Sequence, residues 1–258
     1  MRNLEEYNQR FAGKKALILG SGTSLSKHLL FLKSIPDDWV SFAVNSAYIA
    51  CETDFFVSDD IDIQNWSFFA YDLRNSQKTQ VLLYEDKLGD RAEWFGERSV
   101  LYRHRRHYHI TPKYSHTDKE NHLFQCRSSL GSCIHIAHIM GCSEILILGL
   151  DCYREGKFRW FWQFPDWPNK PYRIDGKRID KYHRRRTLQI NTDSDLADIL
   201  LYWKTKGSQI NEKCKVYNGS EKSLIDVFPY MGLNEFRNYV REDTSCNSSE
   251  RRVERSPS

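Results

Sequence analysis

The chain has 258 residues, 40% hydrophobic and 14% aromatic, which is enough for one large core and too apolar for a disordered chain. A net charge of +4 and a pI near 8.6 permit a polyanionic partner without requiring one. No apolar run approaches the roughly 18 residues of a membrane span, and the opening MRNLEEYNQRF has charges where a secretory signal has an apolar stretch. A cytoplasmic protein with no membrane span is expected. The seven cysteines, at 51, 126, 133, 142, 152, 214 and 246, show no regular spacing. They read as reduced core thiols, not as a disulfide framework or a zinc site.

In chain order, residues 14–19 form the first apolar run of strand length, followed at once by Gly20-Ser21-Gly22-Thr23-Ser24. Residues 24–33 place leucines on one face and predict a helix with Ser24 as its N-cap. Further strands are predicted at 39–44, ending on Asn45, and at 55–57, ending on Ser58-Asp59-Asp60. Two more are expected at 81–84 and 99–102. Residues 129–140 predict a helix closed by Gly141. Glu144 to Leu148 is the clearest strand, and Gly149-Leu150-Asp151 follows it. Residues 153–186 read as a long loop, 193–206 as a helix, 213–217 as a last strand and 241–258 as a disordered polar tail. Strands that are apolar throughout and alternate with helices predict an α/β fold: one open, mostly parallel sheet with helices on both faces, over residues 1–240.

In such a fold ligands bind beyond the carboxyl ends of the strands. The small and polar residues there are Gly20, Ser21, Gly22, Thr23, Ser24, Asn45, Asp59, Asp60 and Asp151. The first turn reads as an anion cradle, with glycines allowing close approach and a helix start offering free N–H groups. It is neither GxGxxG, since Leu25 stands at the last glycine position, nor a P-loop.

The segments LILGSGTSL, Asn45, DFFVSDD and RSSLGSCIHIAHIMGCSEILILGLDCYREG resemble, in that order, a Rossmann-like superfamily. It joins bacterial CMP-sialic-acid-dependent sialyltransferases to the MptE-like proteins, named for a 6-hydroxymethylpterin diphosphokinase, and many bacteriophage proteins carry the pattern. The resemblance covers about 14–230. It implies that the glycine turn, Asn45, Arg127, Ser128 and Ser129 surround a donor nucleotide. It also matches Asp151 and Tyr153 to an Asp-x-Tyr, and Asn191, Thr192 and Asp193 to an Asn-Thr-Asp. The sialyltransferases place a histidine base three residues before that asparagine, where this chain has Leu188. Either His183, the nearest histidine, serves from a shifted loop, or another base does.

Glycosyl transfer needs a base, a stabilised leaving phosphate and an aligned acceptor. Candidate bases are Asp59, Asp60, Asp151 and His183. The co-substrate would be a nucleotide sugar, and the acceptor a carbohydrate or a nucleic acid. Pyrophosphoryl transfer to a pterin would instead use ATP and Mg²⁺, with Asp59, Asp60 and Asp62 available for the metal. A binding module without catalysis is the third reading. The stretch 157–172, with seven aromatics, Arg159 and, just beyond it, Arg173, is either a lid or acceptor platform or a hydrophobic cluster packing the loop down. The basic runs 102–114 and 181–186 are either a polyanion surface or a solvated face. His135 and His138 read as helix histidines rather than ligands.

Overall fold

The computed structural model describes residues 2–105, 122–124, 128–177, 214–232 and 235. Its strands are β1 (Arg2–Asn3), β2 (Lys15–Leu19), β3 (Trp39–Val44), β4 (Phe55–Ser58), β5 (Gln80–Tyr84), β6 (Ser99–Arg105), β7 (His122–Phe124), β8 (Glu144–Leu148) and β9 (Lys215–Asn218). They form one sheet in the order β1-β6-β5-β4-β3-β2-β8-β9, with β7 paired to the far end of β6. Every strand pairing among the described residues is parallel.

Successive side chains alternate between two cores. Ala16 and Ile18 of β2 and Val40, Phe42 and Val44 of β3 enter one; Leu17, Leu19 and Ala43 enter the other. The first core is covered by α3 (Ser129–Ile139), which contributes Cys133, Ile134, Ile136 and Ala137. Ser128 caps this helix by accepting from the Gly131 N–H at 3.0 Å, and Gly141, at φ +87°, ends it. The second core is covered by short turns and by Phe161 and Trp162 of the aromatic loop. Burial on both faces is what continuous apolar strands require.

Residues 24–33 differ from expectation. They form a 3-10 segment, Thr23–His28, and a single α-turn, α1 (Leu29–Leu32); the N-cap is Gly22, not Ser24. The Ser24 N–H and hydroxyl are both held by Asp151, and Leu25 N–H donates to the Gly22 carbonyl at 3.2 Å, a tight i→i+3 turn. β6 runs three residues beyond its predicted end, where β7 joins it. The last strand spans 215–218. The predicted helix at 193–206 and the tail at 241–258 lie outside the described residues. Among those described, no helix is long and apolar enough to cross a membrane.

Candidate functional site

From β2 the chain winds through β3, β4, β5 and β6, then returns through α3 to place β8 on the other side of β2. Two connections therefore diverge at the carboxyl ends of β2 and β8, the position where open parallel sheets leave a crevice. A pocket of about 470 Å³ lies there, within the size range of small-ligand sites.

The turns after β2 and β8 close on each other. Gly20 N–H donates to the Leu148 carbonyl at 2.7 Å, and Gly22 N–H to the Gly149 carbonyl at 3.1 Å. A Cβ on Gly20 would lie 2.7 Å from the Gly149 oxygen, and one on Gly22 would lie 2.5 Å from Asp151 Oδ2. Gly149 itself sits at φ +74°. The glycines thus let two protein turns touch, and the expected open cradle is filled from within. Asp151, 1% exposed, accepts from the Ser24 N–H at 2.8 Å, the Thr23 hydroxyl at 3.1 Å, and the Ser24 and Ser220 hydroxyls. Thr23 and Ser24 are buried on this carboxylate and do not face the pocket; Gly20, Ser21 and Gly22 do. The Ser21 hydroxyl donates to the Val44 carbonyl at 3.2 Å.

Asn45 follows β3 at φ +52°, a left-handed conformation that asparagine tolerates better than most residues. The Ser58 hydroxyl accepts the Asp60 N–H at 3.2 Å and donates to Asn45 Oδ1 at 2.7 Å. This orients the amide so that Nδ2, with no partner among the described residues, is a donor on the pocket wall. Ser46 also lines the wall and accepts from Trp162 Nε1 at 3.1 Å.

Asp59, at the end of β4, is buried. Its Oδ1 accepts from the Tyr102 hydroxyl; its Oδ2 accepts from Ser132 at 2.7 Å and faces His104 Nε2 at 3.0 Å. Its N–H donates to the Ser129 hydroxyl at 2.9 Å, which ties β4 to the start of α3. Asp60 is the exposed acid of the pocket rim; its Oδ1 accepts the Asp62 N–H at 2.9 Å. The N-terminus of α3, with Ser128, Ser129 and Leu130, opens into the same pocket and brings its partial positive charge there.

The aromatic loop forms the remaining wall. Trp160 and Trp162 stack with centroids 5.0 Å apart, Trp66 meets Trp162 edge-on at 5.5 Å, and the Arg159 guanidinium lies 5.0 Å from the Trp160 centroid. Phe161 N–H donates to the Ser21 carbonyl at 3.3 Å, and the Trp66–Arg173 bridge straps the loop to the turn after β4. The loop is therefore both core packing and pocket wall. Arg173 is not a ligand charge: it is buried and holds Asp62 at 2.5 Å and Asp175 at 2.6 Å. Burial alone would raise Asp62, but the hydrogen bonds from Arg173 and Asn65 pull its carboxyl below the usual range. Arg103 and His104, from the first basic run, are likewise engaged internally, with Glu85 and Asp59.

Lys87, on α2 (Glu85–Leu88) after β5, and Arg159 are cations of the described pocket wall. Trp66, Ser46 and Lys87 were not anticipated; Lys87 follows a strand end and could have been found by the same rule as Asn45. Cys152 lines the pocket at φ +57°, and burial, reinforced by Asp151, pushes its thiol up to about 12, away from the thiolate form that a nucleophile uses. Tyr153 is outside the lining, near Thr23. Arg127, His183 and Asn191 lie outside the described residues. Among those described, no three acids, histidines or cysteines gather as a metal site. Asp59, Asp60 and Asp62 are drawn apart, since Asp59 faces inward and Asp62 faces Arg173, so the trio does not fit Mg²⁺.

A parallel sheet with its crevice at the crossover, walled by a helix N-terminus and an asparagine amide, defines a Rossmann-like α/β domain. The profile described as 6-hydroxymethylpterin diphosphokinase MptE-like matches residues 1–156, and the chain belongs to that family. In fold it is similar to the MAf glycosyltransferase of Magnetospirillum magneticum AMB-1, at a TM-score of 0.58 and 11% identity, over 94% of this chain. The chain spans 40% of the length of that enzyme. The sialyltransferase CstII of Campylobacter jejuni, solved with cytidine-5'-monophosphate, matches at a TM-score of 0.44 and 14% identity, over 87% of each chain. No curated protein matches.

Proposed function

We propose that the protein is a transferase that binds a nucleotide-linked donor in the crossover pocket and transfers its activated sugar. The reading rests on one convergence. The Asn45 amide, the N-terminus of α3 and the cations Lys87 and Arg159 all meet in a single 470 Å³ pocket. Donors and positive charge at that point suit a leaving phosphate. Ser128, Ser129 and the α3 amides would hold that phosphate in place of the first turn, whose N–H groups at Gly20, Gly22 and Ser24 are already bonded. Asp60, exposed at the rim, would take the acceptor proton. Asp59 and Asp151 are surrounded by internal donors and position the walls. The tryptophan wall lies where the acceptor would rest, a carbohydrate or a modified nucleic acid.

Pyrophosphoryl transfer from ATP to a pterin is the second reading, favoured by the family's name. A thermal-shift panel with CMP, UDP, their sugar conjugates and ATP, with product detection by mass spectrometry, separates the two. Stabilisation by a nucleotide sugar, with turnover lost in Asp60→Asn but binding kept, supports the sugar transferase. A response to ATP alone, with AMP release on a pterin, overturns it.

A further inference from the structure

A second cavity, of about 300 Å³, lies at the opposite end of the sheet, where β1 to β5 begin. A five-residue strand separates it from the crossover pocket by about 16 Å. Its floor is aromatic: Tyr7, Phe11, Trp39 and Phe55, with Phe55 edge-on to Tyr7 at 5.6 Å and to Phe11 at 5.7 Å. Its rim is basic. Arg2, Arg10, Lys14 and Lys78 face two acids, Asp37 and Asp54.

Four cations against two acids leave the rim net positive. Asp54 accepts from the Ser41 N–H at 2.9 Å and hydroxyl at 2.7 Å and pairs with Lys78 at 3.4 Å. Arg10 and Lys14 have no acidic partner among the described residues; they lie 5.2 Å from the Tyr7 ring centroid and 6.0 Å from that of Phe11. The buried Tyr7 hydroxyl accepts from Arg2 at 3.3 Å and donates to Gln80 at 3.3 Å, which fixes the cavity's polar corner. Two unmatched cations above an aromatic floor select an anion. The volume exceeds that of a bare ion and lies at the lower end of small-ligand sites.

We propose that this cavity is a second binding site, taking a compact phosphate ester such as a sugar phosphate, with Arg10 and Lys14 on the phosphate and the rings under the carbon frame. The inference is independent of what the crossover pocket binds. Isothermal titration of the full chain with ribose 5-phosphate and with inorganic phosphate tests it, using wild type, Arg10→Ala/Lys14→Ala and Asn45→Gly. Both substituted cations are exposed, so the fold is preserved. Ribose 5-phosphate is expected to bind about tenfold more tightly than inorganic phosphate. The double variant should weaken it about tenfold or more, the scale of one charge-assisted contact, while Asn45→Gly leaves it unchanged. Binding undiminished in the double variant, lost in Asn45→Gly, no tighter than inorganic phosphate, or absent altogether overturns the proposal.

Discussion

Two acids that end strands, Asp59 and Asp151, share a design. Each is buried, and each accepts from hydroxyls brought in from distant segments: Tyr102 and Ser132 for Asp59, Thr23, Ser24 and Ser220 for Asp151. Hydrogen bonds to a charged acceptor are worth about 1.5–3 kcal/mol each, so these carboxylates knit loops together. Asp151→Asn turns an amide NH₂ toward hydroxyls that now donate. The expected loss is about 2–4 kcal/mol of stability, read as a lower urea midpoint. An unchanged midpoint with abolished turnover would instead put Asp151 in the chemistry.

At the scale of elements, the central strands were legible because burial on both faces leaves their interiors mostly apolar, with the buried Ser41 of β3 bonded to Asp54. Lys15–Leu19 and Glu144–Leu148 lie side by side in register, Ala16 opposite Ile145 and Ile18 opposite Ile147. The helix α3 was legible from its apolar run and from Gly141, its local stop, while the Ser128 cap emerges from the fold. The segment 24–33 was not, because the groups that tighten it, Asp151 and Ser220, come from 127 and 196 residues away from Ser24. β1 and β7, of two and three residues, are too short to carry a periodic pattern. Asn45 and Asp60 were readable by position, since each follows an apolar run, whereas Ser128 and Ser129 came only through the resemblance to the sialyltransferases. The purpose of the glycines was not. Their sequence signals a close approach, and only the fold shows that what approaches is Gly149 and Asp151.

At the scale of the whole molecule, the buried groups predict acid sensitivity. Burial, with His138 and His104 nearby, lowers His135 from 6.5 to about 3, so the folded state keeps it neutral while the unfolded chain protonates it below 6.5. Its contribution is complete above 6.5 and is lost as pH falls toward 3, about 2 kcal/mol by pH 5. Asp62 and Asp175, held low by Arg173, add stability above about pH 4 that is lost below it. Urea midpoints at pH 7 and pH 5 should therefore separate in the wild type and converge in His135→Gln. Equal separation in both proteins would remove His135 as the cause. The two cavities occupy opposite ends of the sheet, so occupancy of each can be read separately.

The crossover pocket is proposed to hold a nucleotide through the Asn45 amide. Glycine at 45 accepts φ +52° without strain, so Asn45→Gly removes the donor and keeps the turn. Calorimetric titration of CMP and UDP into the wild type and this variant, at matched thermal stability, is the most direct measurement. One nucleotide is expected to bind per crossover pocket, weakened about tenfold or more in the variant. Equal affinity in both proteins, or no nucleotide bound by the wild type, would contradict it.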